Sequence, residues 1–339
     1  MTPNDAASVS PATLALRSAL AAFTGNSPAA ALAGLIDAGH DRLPLPGHGA
    51  TLERWRALAA VGAHDLSLAK LFEGHTDALA ILAEAGASPG DGMWGTWCAE
   101  PPDARLLLAP RGDGFALRGR KAWCSGARDV SHAVVSCWSP EGDAMLATVD
   151  LRQRGVAVTG DGWHAVGMAA SASVDVIFDD VAATALQGPG FYVARAGFWH
   201  GGAGVAACWF GAATRLADAL RERLAQRADP HRLAQLGRAA VALQGSAALL
   251  REAAACIDRE PGANAMGLAL AVRLQVEASA SLVLDAFGRA LGAAPLCKDA
   301  ALARLYADLP VFLRQSHAER DQEALSRLIA AEGQAPWTL

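Results

Sequence analysis

Between residues 91 and 187 the chain gives up helical periodicity, and this interruption limits what it can fold into. Short runs of β character occupy 115–123, 133–138, 145–149, 156–159 and 173–178. Turn strings such as Gly112-Asp113-Gly114 and Gly160-Asp161-Gly162 separate them. Close spacing with tight turns predicts a compact, mostly antiparallel β domain. On both sides the sequence is Ala- and Leu-rich with helical spacing. The order helices, strands, helices contains no strand–helix alternation and so excludes a doubly wound parallel sheet. The expected class is α+β, with an N-terminal helical domain (1–90), a central β domain (91–187) and a C-terminal helical bundle (188–339).

Punctuation within the helical parts is equally local. Leu43-Pro44-Leu45-Pro46-Gly47 breaks any helix, and beyond it Leu68, Leu71, Phe72, His75, Leu79 and Leu82 follow the spacing of one core-facing stripe. Further breaks are expected at Asp229-Pro230, Glu260-Pro261-Gly262 and Gly292-Ala293-Ala294-Pro295. The stretch 196–214 has no Asp, Glu, Lys or Arg and approaches the length of a membrane span. It is mostly Gly and Ala around His200, too weakly hydrophobic for lipid, and is expected to be a tightly packed buried helix. No membrane partner is expected.

Hydrophobic residues make up 52% of the 339 and charged residues 19%, a balance suited to a packed core with further surface buried between subunits. A homodimer or homotetramer is expected. The formal charge of −5 comes with scattered basic residues, which removes the electrostatic footprint nucleic acid requires. Cys98, Cys124, Cys137, Cys208, Cys256 and Cys297 form no CxxC pair, and no secretory leader is seen. They read as reduced core residues of a cytoplasmic protein. The histidines have no metal-ligand spacing, so no metal site is expected.

Four strings, in order, resemble the acyl-CoA dehydrogenase family. Trp97-Cys98-Ala99-Glu100-Pro101 is similar to its flavin-contacting strand end. Gly119-Arg120-Lys121-Ala122-Trp123-Cys124-Ser125-Gly126-Ala127 is similar to its second flavin segment and is the most specific match. Gly167 to Val181 resembles a structural turn and the strand after it. Ala286-Phe287-Gly288-Arg289 through Lys298-Asp299 and on to Arg304 resembles the glycine turn and helix start before the active-site segment. The resemblance implies FAD, with FMN possible, held by Trp97, Cys98, Ala99, Trp123, Cys124, Ser125, Gly288 and Arg289. Trp123 would pack on the ring and the Ser125 hydroxyl would lie near its N5/O4 edge. Backbone N–H groups around Cys98 and Ala99 would face N1/O2. Without that resemblance, Trp123 and Ser125 read as a buried Trp beside a turn Ser, which is what most such pairs are.

The departures fall on chemistry. Glu100-Pro101 runs into Pro102-Asp103-Ala104-Arg105 in place of a phosphate-friendly loop, and Arg221 to Arg227 lacks the expected Arg-x-x-Phe pair. Arg289 stands where a second glycine is usual and reads as a phosphate ligand or as a surface residue. The usual catalytic Glu falls at Ala307, leaving Asp308 as the nearest carboxylate, about 100° further round a helix unless the backbone turns before Pro310. Its bland reading is a helix-end Asp facing water. His317, Arg320 and Asp321 recur at helical spacing and form either a polar site, with His317 as acid–base group, or a solvated face. Glu100 is expected to anchor the strand end.

Three functions follow as expectations. One is a flavin-dependent oxidoreductase of acyl-CoA dehydrogenase type acting on an acyl-CoA, a carrier-bound acyl group or a related small substrate, with Asp308 as base. The second is an oxidase or monooxygenase of the same fold using His317. The third is a degenerate homologue serving as a binding or oligomer-forming subunit.

Overall fold

A computed structural model describes residues 9–226, 229–331 and 337. Four helices come first: α1 (Pro11–Ala22), α2 (Pro28–Asp37), α3 (Thr51–His64) and α4 (Leu66–Glu84). The strands are β1 (Trp94–Trp97), β2 (Leu106–Arg111), β3 (Gly114–Cys124), β4 (His132–Trp138), β5 (Ala144–Asp150), β6 (Val156–Val158) and β7 (Val174–Ala185). Helices then return as α5 (Phe191–Ala194), α6 (Gly197–Gln226), α7 (Pro230–Arg259), α8 (Met266–Leu291), α9 (Ala294–Lys298), α10 (Ala300–Phe312) and α11 (Glu319–Ala331).

All five expected β runs form strands. The sequence reading passed over β1, whose four residues include Gly95, and β2, which contains Pro110. Pairing is antiparallel for β2–β3, β3–β7, β4–β5, β5–β7 and β6–β7, and parallel for β1–β4 and β2–β4. Because β4 pairs with both β2 and β5, the ladder β4–β2–β3–β7–β5 closes on itself. The interior holds Trp97, Leu106, Leu117, Cys124, Val135, Val176 and Phe178, the alternate residues of strands that wall a barrel.

The chain divides into two interleaved units, one of 15–43 and 67–198, the other of 1–14, 44–66 and 199–339. In the first unit, the α4 stripe is buried as expected at Leu68, Leu71, Phe72, His75 and Leu82, with Leu79 half-buried. In the second, 196–214 lies in α6, where Ala203, Ala206, Ala207, Cys208, Trp209, Ala212 and Ala213 are buried. Two glycines set its contact with α3. A Cβ on Gly62 would strike the Cys208 carbonyl, and one on Gly211 the Ala59 carbonyl.

At Asp229-Pro230 the proline opens α7, with Asp229 capping it through the N–H groups of His231 and Arg232, while α7 and α8 end before Pro261-Gly262 and at Gly292 as expected. Pro310 does not end its helix. Helix α10 continues to Phe312, and the cost of an interior proline, about 3 kcal/mol, is offset by burial of Leu305, Leu309 and Phe312. The cysteine expectation also needs correction. Cys124, Cys137 and Cys208 are buried, but Cys98, packed at the edge of the core beside Leu146 and Tyr192, and Cys256 are half-buried and Cys297 is exposed. All six are free thiols.

Helix α3 has no capping side chain of its own. Its first N–H, at Thr51, is satisfied from α7, where the Asp258 carboxylate accepts from Thr51 N (3.0 Å), from Thr51 Oγ1 (2.6 Å) and from Gly49 N before the helix (3.1 Å). Asp258→Ala is expected to lower unfolding stability by about 1–2 kcal/mol, the upper range for loss of a helix cap. Denaturant titration checks this, and Asp258→Asn should recover part of the loss.

Candidate functional site

The strand ends that carry the first two flavin-like strings are tied together at two points. Trp97 is 2% exposed inside the barrel, and its indole Nε1–H donates to the Ser125 carbonyl at 3.0 Å. Beneath that bond, Lys121 is 1% exposed and its Nζ donates to Glu100 Oε1 (2.5 Å), Ser136 O (2.8 Å) and Ser136 Oγ (2.7 Å). Glu100 also accepts from Ser136 Oγ and from Trp138 Nε1 (2.9 Å). Glu100 therefore anchors the strand end.

Burial pushes the Glu100 carboxyl up, but the bonds from Lys121 and Ser136 and the Lys121 charge outweigh it and hold the group below its ordinary range. His75, on α4, is held below its usual value by burial, against the opposing pull of Asp41 at 3.2 Å; its Nδ1 accepts from Trp94 N (3.1 Å). Both folded-state values are depressed, so each group contributes stability that is present above its unfolded pKa and is lost as pH falls through the folded one. Thermal melts should decline first below about pH 6.5, where unfolded His charges, and again below about pH 4.3, where unfolded Glu protonates. His75→Gln should weaken the first decline, the remainder coming from His132, which burial also holds below its usual value, and leave the second.

Beyond Lys121 the β3–β7 register shifts, and Trp123 takes a left-handed conformation with φ +56°. That is a steric outlier for a bulky residue. The shift turns Trp123 outward, 49% exposed, while Cys124 falls into the barrel core and Ser125 is 4% exposed. The turn after Ser125 is held from behind. Gly126 N donates to Ser171 O (2.8 Å), and Ser171 Oγ bonds Met168 O (2.7 Å) and Ser173 Oγ (2.8 Å). Met168 and Ala172, at φ +60° and +45°, bracket this short turn, so the third string has a structural role.

Cys98 points away from Trp97 to the other face of β1, near Tyr192 of α5, and burial raises its thiol to about 11. Ala99 is half-buried. The side chains of Trp97 and Cys124 lie in the core, so only their main chain borders the surface at Trp123. An exposed flat indole, the Ser125 hydroxyl and main chain at Cys98–Ala99 fit the ring portion of a flavin.

The remaining candidates belong to the other unit. Gly288 faces Tyr306 of α10, and a Cβ there would lie 2.9 Å from its hydroxyl. Arg289 is 66% exposed and its Nε binds Asp285 Oδ1 at 2.7 Å along α8. Asp308 is 7% exposed on the α10 face that carries Leu305, Leu309 and Phe312, so it does not face water. Ala307 beside it is half-buried.

His317, Arg320 and Asp321 do not share a helix face as their spacing suggested. His317 precedes α11, which starts at Glu319, and Ala318 at φ +45° turns the chain between them. The His317 ring is 63% exposed with Nδ1 3.4 Å from Asp321 Oδ1, Asp321 is buried, and Arg320 is exposed. Arg227 lies outside the described residues.

Sequence reasoning missed Lys121, Ser136 and Trp138 as the junction of the site. The available signal was parity: Lys121 lies an even number of residues from the inward-facing Leu117 in a β run, a buried cation that demands an anion.

No protein-family model matches the chain, and no curated protein matches it in sequence. Solved structures do. Methanesulfinate monooxygenase MsuC from Pseudomonas fluorescens matches with TM-score 0.80 at 21% identity, covering 97% of this chain and 98% of that one. TdsC from Paenibacillus sp. A11-2, in complex with FMN and indole, matches with TM-score 0.77 at 19% identity over 96% of both chains. Nitrososynthase from Micromonospora carbonacea var. africana matches with TM-score 0.79 at 20% identity, over 97% of this chain and 99% of that one. Helices around a closed, mostly antiparallel barrel, matched over nearly the full length of these proteins, give this chain the acyl-CoA dehydrogenase-like fold.

Proposed function

We propose that this chain is a flavin-dependent oxidoreductase of the monooxygenase kind, holding FMN, or FAD, against Trp123 and oxidising a small molecule with oxygen. The observation that supports it most is the Trp123 indole, strained into the open beside Ser125 at a junction fixed by Lys121 and Trp97. A bound flavin, reduced by two electrons from an external reductant such as a reduced nicotinamide, would supply the reaction with oxygen in which one oxygen atom enters the substrate and the other leaves as water. Trp123 would form the wall of the ring site, the Ser125 hydroxyl would bond the polar edge, and the N–H groups at Cys98 and Ala99 would counter negative charge. His317, oriented by Asp321, is the acid–base candidate.

Two observations favour oxygen chemistry. Ala307 cannot take an α-proton, and TdsC, described as a dibenzothiophene monooxygenase, and MsuC, a methanesulfinate monooxygenase, share the fold. FMN is preferred because it is the flavin in the TdsC complex and because Arg289 is already engaged by Asp285. Dehydrogenation of an acyl thioester keeps one support, the burial of Asp308.

Reconstitution tests both. Protein mixed with FMN or FAD and freed of excess should retain a flavin spectrum; a protein left colourless by either cofactor rules out both readings. With flavin retained, oxygen-dependent turnover unaffected by Asp308→Asn supports the first. An α-proton exchange in acyl thioesters that disappears in Asp308→Asn supports the second.

A further inference from the structure

The Lys121–Glu100 pair holds the end of β1 from inside the barrel only. Strand β1 stops at Trp97, and Cys98, Ala99 and Glu100 lie outside any strand. Glu100 is tied by its carboxylate, and Ala99 has no side chain to bond with. From outside, the grip on this segment comes through the Cys98 side chain, which packs with Tyr192 of α5 at the edge of the core containing Trp94, Val134 and Leu146.

A chain of polar contacts runs back from that side chain. The Tyr192 hydroxyl donates to the Cys98 sulfur. Over the Tyr192 ring lies the guanidinium of Arg195, its Cζ 5.4 Å from the ring centroid. The Arg195 side chain is 3% exposed and ion-paired on α4 to both Asp77 (3.5 Å) and Glu84 (3.1 Å), and Glu84 also accepts from Gly197 N (3.0 Å). Stability does not call for this arrangement. Asp77 Oδ1 and Arg195 Nε are buried without a hydrogen bond, which costs free energy, and buried ion pairs are often exchanged for apolar side chains at no loss. Groups left unmet in this way collect where function holds them. Here the chain of contacts ends on Cys98.

We infer that Tyr192 and Arg195 are positioning residues for the Cys98–Ala99 main chain, holding from outside the barrel the strand end that Lys121 and Glu100 hold from within. Asp77 and Glu84 orient Arg195, Arg195 holds the Tyr192 ring, and the Tyr192 hydroxyl holds Cys98. All of these residues belong to one unit. What the N–H groups at Cys98 and Ala99 do for the ring rests on the flavin reading above; the tether itself does not. A ring edge that gains negative charge on reduction depends on where its donors point, because hydrogen bonds weaken steeply with misalignment. Loss of the tether therefore acts on reduced flavin more than on oxidised flavin.

Tyr192→Phe removes the hydroxyl and keeps the ring, so this variant should melt close to the wild type. In flavin-free protein, amide hydrogen exchange at Cys98 and Ala99 should quicken by about 2- to 10-fold, the worth of one hydrogen bond. In FMN-loaded protein, redox titration should show reduced flavin weakened by about 2- to 10-fold relative to oxidised. Cys98→Ala should do the same, and the double variant should add nothing further. Cys98→Ser keeps an acceptor for the tyrosine and should stay near the wild type in both readouts. Unchanged exchange in Tyr192→Phe overturns the tether, whether or not flavin binds. Faster exchange with an unaltered ratio of the two affinities overturns the positioning role and leaves the flavin reading standing. A wild type that retains no FMN overturns that reading together with the role built on it.

Discussion

Trp123→Ala is expected to weaken flavin binding by about 5- to 150-fold, the equivalent of ~1–3 kcal/mol for losing one aromatic platform under a planar ring. The comparison protein is Trp163→Ala, whose indole is half-buried and tied to Gly167 O at 3.2 Å. Because Trp123 is half exposed, its removal should cost far less than the ~3–5 kcal/mol of a buried aromatic. Trp123→Gly sharpens the test. Glycine tolerates φ +56°, so this variant should fold at least as stably as Trp123→Ala while binding flavin no better. Fluorescence quenching titrations with FMN and FAD, beside denaturant melts, give both quantities. Equal binding by the Trp123 and Trp163 variants would remove the ring wall from the proposed site.

The largest stability effect belongs to Lys121→Met. Methionine fills the same volume but strips three bonds from the interior and leaves Glu100 facing Ser136 and Trp138 without its counter-charge. Breaking a buried pair typically costs ~3–5 kcal/mol. With the Glu100 side chain 30% exposed, water can recover part of that, so about 2–3 kcal/mol is expected. Lys121→Met with Glu100→Gln should recover much of the loss, since no charge is then left unpaired. If the single variant melts like the wild type, the junction is not what holds the two strand ends.

How much of this was legible in the sequence follows from the range of the forces involved. Alternation and turn residues act over a few positions, so β3, β4, β5 and β7 could be placed from their own residues, as could the ends of α7 and α8. Closure of the barrel could not. It depends on β4 finding β2 as well as β5, through a single register pair, Leu107 with Trp138. Pro310 shows the same limit in reverse, because local preference says stop while Leu305, Leu309 and Phe312 bury on one face and carry the helix on. At the candidate site, the strings around Trp123 and Ser125 were readable as a resemblance. The register shift that exposes Trp123 was not, because it is a property of the pairing of β3 with β7, strands distant in sequence, and no local string records it.

The interleaving of the two units has a consequence for how the chain is made. Emerging from the ribosome, it has completed 15–43 and 67–198 by Phe198, and the barrel can close at once. Helix α3 cannot settle then. Its partners are the Cys208 stretch of α6 and Asp258 near the end of α7, so Trp55, Leu58 and Val61 have no native cover within their own unit until that later sequence appears. The 60 residues from 199 to 258 take roughly 3–12 s to synthesise at ~5–20 residues per second. For that interval a sticky apolar helix waits on a nascent chain, the kind of segment on which a holding chaperone acts.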